Sequence, residues 1–279
     1  MKIAKRLIAV SIAVMMSVAC LAGCGGSPSN SNGDTSATEA KTTSVKTINE
    51  GCLTVGMEIG YPPFESFADD GKTPIGLDVD LAKEIGDKLG LEVKFINTAF
   101  DGILQGIGTN YDCVISAVTI NDERKENCLF STPYIDNYQS IVIKKGSKAK
   151  YESLNDLDGK SVALQKGTTS DDLLDDLMGK GTVDCKKVAQ EQVTTCFTQL
   201  ENGEIDVVLC DSSVAEGYVA KNPNAYEIAF QDKTSPEQFG VAVAKSDTEL
   251  QKAVDDALAE LKDDGTLKDI CNKWFGAED

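Results

Sequence analysis

From residue 52 onward the apolar periodicity switches repeatedly between period 2 and period 3.6, and it does so in two successive series. In the first, Cys52 to Met57 and Leu91 to Ile96 read as strands. Leu81, Ile85 and Leu89 mark the buried face of a helix opened by Asp78 and Asp80 and closed by Gly90. A helix from about Asp101 and a strand from Tyr111 to Ser116 complete the series. The second series predicts strand Ser161 to Gln165, a helix near Asp171 to Met178, strand Val183 to Val188, helix Glu191 to Leu200 and strand Ile205 to Cys210. Strand–helix alternation of this kind predicts an α/β fold with mainly parallel sheets covered by helices on both faces. The segment from Phe100 through Ser116 is echoed by Cys196 through Asp211, which predicts two similar lobes. After them come a strand, Phe239 to Ala244, and two helices carrying Leu250, Val254, Leu258 and Leu261, then Leu267, Ile270 and Trp274. If this last part returns to the first lobe, the chain crosses twice, near Ile135 to Gln139 and near Gln231 to Gln238, and a hinged cleft lies between the lobes.

The 279 residues contain no histidine, which removes Ser-His-Asp and Cys-His catalysis and histidine metal sites. With 27 basic and 45 acidic residues the formal charge is −18, so nucleic acid is not an expected partner. No CxxC pair is present, and zinc or thiol-redox chemistry is not expected. Of nine cysteines, Cys52, Cys113, Cys196, Cys210 and Cys271 sit on apolar faces as free buried thiols do; a Cys185–Cys196 bridge stays open.

The N-terminus is read as an address rather than as fold. Lys2, Lys5 and Arg6 precede an uncharged apolar run from Leu7 to Gly23, shorter than the roughly 20 residues a bilayer span prefers. The run closes with Leu21-Ala22-Gly23-Cys24, which resembles the lipobox of bacterial lipoproteins. That resemblance implies a signal peptide over 1–23, lipidation of Cys24 and anchoring at the extracytoplasmic face of the cell membrane. The following stretch, rich in Ser, Thr, Asn and Gly, lacks the apolar content to fold and reads as a tether over 24–49, with a reach of about 25 Å.

Three motifs carry a family resemblance: Val55-Gly56-Met57-Glu58-Ile59-Gly60-Tyr61-Pro62-Pro63-Phe64-Glu65, the stretch Gly76-Leu77-Asp78-Val79-Asp80-Leu81, and Thr119-Ile120-Asn121-Asp122-Glu123-Arg124 with Phe130-Ser131-Thr132-Pro133-Tyr134. Over about residues 50 to 276 the chain resembles the polar amino-acid substrate-binding proteins of ABC importers. The resemblance implies a type II periplasmic-binding-protein-like clamp, two doubly wound sheets joined by two hinge strands. Lobe 1 would be built from 50–137 and 236–279, and lobe 2 from 138–235. It also implies a free polar L-amino acid as ligand, an ABC permease and ATPase as partners, a monomer, and no cofactor.

The site residues follow from the same resemblance. Arg124 would hold the ligand carboxylate in its guanidinium fork, assisted by the helix start at Gly167-Thr168-Thr169, and Asp211 would take the ammonium. Tyr61 and Phe100 would wall the side chain, with Ser116, Ala117 and Thr119 lining the cleft. Glu58 would meet a distal cation, with Gln165 and Ser170 as further readers of the side chain. Because Arg124 is committed to the α-carboxylate, an acidic side chain finds no cation, and basic ligands are slightly favoured over glutamine or cystine. A binder is expected rather than an enzyme. The alternatives are a dehydratase-like enzyme on the same clamp with Glu58 or Asp211 as general acid, or a solute sensor for a receptor.

Overall fold

The computed structural model describes residues 45–276. The leader, Cys24 and nearly all of the tether lie outside the described residues, as do the last three. The elements of the first lobe are β1 (Cys52–Met57), β2 (Ser66–Phe67), β3 (Pro74–Ile75), α1 (Leu77–Leu89), β4 (Glu92–Asn97), β5 (Cys113–Val114), α2 (Asp122–Asn127) and β6 (Cys128–Phe130). A long strand β7 (Ile135–Lys144) leads to β8 (Ser161–Gln165), α3 (Thr169–Gly179), β9 (Lys186–Gln190), α4 (Val193–Asn202), β10 (Val207–Asp211) and α5 (Ser212–Lys221). A second long strand, β11 (Tyr226–Phe239), returns to β12 (Ala242–Ala244), α6 (Thr248–Asp263) and α7 (Thr266–Phe275).

These form two five-stranded sheets, ordered β4-β1-β5-β12-β6 and β11-β7-β10-β8-β9. In each, three strands run parallel in the order second, first, third, and an antiparallel strand from the other passage of the chain lies beside the third. The two series predicted from periodicity are therefore one topology used twice. The sheets are mixed rather than mainly parallel, because each crossing chain adds strands of opposite direction. β7 and β11 pair with each other from Lys144↔Tyr226 to Ile135↔Phe239, with irregularities between Ile228 and Phe230 and between Asp232 and Glu237, so the two connecting segments form one ribbon.

Local chemistry explains the element boundaries. α1 has Asp78 and Asp80 in its first turn and Lys88 in its last, and Gly90 at φ 68° caps it, a charge order and C-terminus that suit the helix dipole. It buries Leu77, Leu81 and Ile85. The helix expected from Asp101 is only a 3₁₀ turn, Ile103–Gly106, because Gly102 (φ 87°) and Gly108 (φ 80°) leave the helical region on either side. The strand expected at Val183 begins instead at Lys186, which pairs with Ser161; Val183 itself packs into the core beneath the sheet with Leu157, Leu174 and Leu209. All seven cysteines from Cys52 onward are free thiols, including Cys185 and Cys196. Among the described residues no helix is long and apolar enough to cross a membrane.

The main core runs from Leu53, Val55 and Ile85 of one lobe through Phe64 and Phe239 to Phe197, Val208 and Val214 of the other. Gly76 is a tight point in it. Its φ is 143°, and a Cβ there would stand 1.9 Å from the Phe64 carbonyl oxygen, a backbone atom that cannot step aside. Gly76→Ala is expected to destabilise the protein by about 2 kcal/mol or more, within the range for strained backbone sites. Denaturant unfolding checks this; an unchanged midpoint would show that the loop before α1 is free to move.

Candidate functional site

The cleft between the sheets lies at the carboxyl ends of β1, β5, β8 and β10, where open α/β sheets place ligands. The lobes are closed on one another. Tyr61 donates its hydroxyl to Asp211 Oδ2 across the cleft. Arg124 Nη2 donates to the Gly167 carbonyl at 3.2 Å, Gln165 Nε2 to Glu58 Oε2 at 3.3 Å, and Lys166 pairs with Asp101 at 2.7 Å. Between them Tyr61, Phe100, Ala117, Thr119, Arg124, Gln165, Thr168, Thr169 and Asp211 enclose about 10 Å³. That is room for one water, so anything larger enters only by parting the lobes and taking over some of these bonds.

Arg124 stands on the short helix α2, whose N-cap Asn121 accepts the Arg124 backbone N–H at 2.8 Å. Its Nη1 donates to the Thr119 carbonyl at 3.0 Å, and the guanidinium carbon lies 5.6 Å from the centre of the Phe100 ring. Two carbonyls and an aromatic face thus orient the fork and leave further N–H donors for an anion. Burial pulls its pKa down, while Asp172, Asp211 and Glu237 push it back up.

Asp211 occupies the N-cap position of α5, yet its side chain does not cap that helix. The carboxylate instead accepts Asn137 Nδ2 at 2.7 Å and Gln139 Nε2 at 3.2 Å on Oδ1, besides the Tyr61 hydroxyl. Burial, then the neighbouring Glu237 carboxylate, raise its pKa, while the bonds from Tyr61 and Asn137 and the charge of Arg124 lower it. Glu237, on the return strand β11, was not visible as a site residue. Its Oε2 accepts Thr119 Oγ1 at 3.2 Å, Thr169 Oγ1 at 3.0 Å, Asn137 Nδ2 at 3.3 Å and Gln139 Nε2 at 3.2 Å. Only the position of the crossing segment was foreseeable; which of its polar side chains turns inward was not.

Several expected site residues use their hydroxyls elsewhere. Ser116 is 1% exposed and its hydroxyl serves the wall from behind, accepting the Glu58 N–H at 3.0 Å and donating to Glu65 at 2.5 Å. Thr168 caps α3, its Oγ1 accepting the Asp171 N–H and donating to the Gln165 carbonyl at 2.7 Å. Ser170 donates to Gln139 Oε1 at 2.6 Å, away from the cavity. Thr119 and Thr169 spend their hydroxyl protons on Glu237, so toward the cavity they offer lone pairs rather than donors. They therefore suit an ammonium, and the expected help of Thr168 and Thr169 to Arg124 reduces to the first-turn amides of α3. Glu58, 3% exposed, does not line the small cavity and faces a neighbouring compartment with Gln192 and Asn97.

The matching family model is that of the bacterial extracellular solute-binding proteins, family 3, over residues 53–277. The chain belongs to this family. It is 36% identical over 235 residues to the L-cystine-binding protein TcyJ of Escherichia coli (strain K12), covering 84% of this chain and 86% of that one. Among solved structures it is similar to the P235GK mutant of ArgBP from T. maritima, with 39% identity, a TM-score of 0.75, and 81% of this chain and 96% of that one covered. It is also similar to AncCDT-1, described as an ancestral amino acid-binding protein and a precursor of cyclohexadienyl dehydratase, at 34% identity and a TM-score of 0.74, over 81% and 96% of the chains.

The buried acids give the family member a pH signature. Burial pushes Glu58 up to about 7, with the Gln165 and Gln192 amides pulling it back down. A carboxyl whose pKa is higher folded than unfolded takes up a proton on folding, so stability falls as pH rises from about 4 to about 7 and levels off above. Glu65, Asp78 and Asp211 are shifted in the same direction. Thermal unfolding of the protein without added amino acid is expected to show a higher Tm at pH 5.5 than at pH 8. Glu58→Gln is expected to flatten that slope; identical slopes in the two proteins would mean that Glu58 titrates normally.

Proposed function

We propose that this chain is an extracytoplasmic amino-acid receptor that closes its lobes on a free polar amino acid and delivers it to an ABC permease. One observation carries the reading: a guanidinium from the first lobe and a carboxylate from the second, Arg124 and Asp211, line one cavity between the lobes. A zwitterionic α-amino-acid head requires that pair, and the closure that brings the two together is the hinge motion by which periplasmic binding proteins enclose their ligands. The named relatives, binders of cystine and of arginine, support the ligand class.

The charge of the site supports a ligand with a cationic distal end. Asp211 and Glu237 stand near Arg124 and Glu58 stands beyond Gln165, so the cleft has three acids, while the Arg124 guanidinium is used by the α-carboxylate. We favour arginine, lysine or ornithine over neutral side chains for that reason, and expect glutamate and aspartate to bind poorly. We propose capture rather than turnover, since the groups around the head hold charge at both ends and offer no nucleophile. We also propose lipid attachment through Cys24, on the lipobox-like Leu21-Ala22-Gly23-Cys24, with residues 24–49 as tether.

Arg124→Ala and Asp211→Ala are each expected to weaken binding by about 30-fold to several thousand-fold, the cost of about 2–5 kcal/mol for removing one partner of a desolvated charge pair. Calorimetry with arginine, glutamine and glutamate measures it, and a change below threefold in both variants would move the site elsewhere. Because a cation needs Glu58 ionised, arginine affinity is expected to rise as pH passes upward through about 7 in the wild type and to lose that dependence in Glu58→Gln. Arginine binding that ignores both pH and the substitution would remove Glu58 from the site.

A further inference from the structure

Glu237 collects protons from four side chains and stands just outside the small cavity. It accepts Thr119 Oγ1 from the first lobe and Thr169 Oγ1 from the second, with Asn137 Nδ2 and Gln139 Nε2 from the outgoing crossing strand. Thr119, Thr169 and Asp211 line the cavity, and Glu237 is not among the lining residues. Any effect it has on a ligand passes through the side chains it touches.

The groups behind fix which way each proton points. Asn137 is fully buried, and its Oδ1 accepts the Ser213 N–H at 3.4 Å and the hydroxyls of Ser212 and Ser213 at 3.2 and 3.1 Å. A backbone N–H can only donate, so Nδ2 is the side of the amide turned to Asp211 Oδ1, at 2.7 Å, and to Glu237 Oε2, at 3.3 Å. Gln139 is set the same way. Its Oε1 accepts the Ser170 hydroxyl at 2.6 Å, and its Nε2 faces Asp211 Oδ1 at 3.2 Å, Glu237 Oε1 at 3.1 Å and Thr169 Oγ1 at 3.1 Å. With the amides as donors and the carboxylates as acceptors, each threonine hydroxyl gives its proton to Glu237. Lone pairs alone are left for the cavity, two on Thr119 and one on Thr169, whose other takes Gln139. Asp211 Oδ2, which also accepts the Tyr61 hydroxyl, is a third acceptor atom beside them. A primary ammonium has one N–H for each, whereas a hydroxyl or a substituted amine has fewer.

We infer that Glu237 is a specificity-determining positioning residue. By holding the hydroxyl protons of Thr119 and Thr169, one from each lobe, it leaves the head-group cavity with acceptors toward an ammonium, so that a primary α-amine is taken in preference to its hydroxy counterpart. This rests on the reading that Arg124 and Asp211 hold the amino-acid head, and it adds the residue that decides which head fits. A glutamine at 237 would turn an N–H toward one of the threonines. That hydroxyl would then accept, and its own proton would face the ammonium.

Calorimetry with arginine, glutamine and cystine as probes tests it. Glu237→Gln is expected to weaken the amino acid that the wild type binds by about tenfold or more, the loss of a hydrogen bond to a charged group. In a Thr119→Val, Thr169→Val background the same substitution is expected to change affinity by less than about threefold, because the hydroxyls through which it acts are gone. An equal loss in both backgrounds overturns the proposal and leaves Arg124 and Asp211 in place; a wild type that binds none of the three probes overturns both readings. The 2-hydroxy counterpart of the bound amino acid can accept the redirected proton, so its affinity relative to the amino acid is expected to rise about tenfold in Glu237→Gln, and an unchanged ratio overturns the proposal. Should Glu237→Gln fail to fold, Thr119→Val and Thr169→Val carry the test with Glu237 intact: each is expected to cost more than about threefold, and two unaffected variants overturn it.

Discussion

The bond network on the Asp211 carboxylate is where the whole molecule meets. Tyr61 reaches it from the first lobe, Asn137 and Gln139 from the outgoing hinge strand, and Glu237 crowds it from the returning one. A single buried acid thus senses both lobes and both crossings. Its neighbour Glu237 takes hydroxyls from Thr119 in one lobe and Thr169 in the other, so any change in the lobe angle breaks bonds to one of two adjacent acids. Two carboxylates this close repel, and a cation is the natural remedy. The hinge therefore lies next to the place where a ligand ammonium would act.

The wall behind the cleft depends on a second acid pair. Glu65 and Asp78 are both fully buried, and desolvation, then the charge of Asp78, push the Glu65 carboxyl well above the usual carboxylate range. Asp78 Oδ2 accepts the Ala117 N–H at 2.6 Å and the Tyr134 hydroxyl at 3.0 Å. Ala117 has a φ of 46°, a conformation that costs a non-glycine residue about 1–3 kcal/mol and needs such support. The family-like stretch from Gly76 to Leu81 thereby shapes the site without entering it. Gly76 lets the chain pass Phe64, Asp78 fixes Ala117, and Leu77 and Leu81 anchor the helix that carries both.

How far the sequence could be read follows from the range of the forces involved. Elements defined by their own periodicity, such as α1 or β10, were legible because the apolar spacing is local. The 3₁₀ turn at Ile103 was not, since two glycines either side decide it against an apolar pattern that reads as helical. Charged residues at strand and helix ends, Arg124 and Asp211, could be named because position and chemistry agree. Ser116 and Thr168 were named for the cleft but use their hydroxyls on Glu65 and on the α3 cap and the Gln165 carbonyl, a choice made by partners about 50 residues away or three residues to either side. Glu237 and Gln139 escaped notice for the converse reason. In an extended strand alternate side chains face opposite ways, and the irregularity in β11 between Asp232 and Glu237 resets which ones face the cleft.

Closure without a large cavity is itself informative about energetics. A ligand shifts the balance between open and closed lobes only by what it offers the closed form beyond the open one. Here the closed form already has bonds of its own: a phenol on Asp211, an amide on Glu58, a carbonyl on Arg124, and the half-exposed Asp101–Lys166 pair, which contributes about 0–1 kcal/mol at most. Each of the first three pairs a chargeable group with a neutral one. Replacing them with an ammonium on Asp211 and a carboxylate on Arg124 exchanges neutral partners for charged ones in a desolvated space, where the attraction between opposite charges adds to the hydrogen bond. It also relieves the repulsion between Asp211 and Glu237. The surplus over the protein's own bonds is therefore greatest for a ligand that brings full charge to every one of these positions, and smallest for an apolar molecule of the same size.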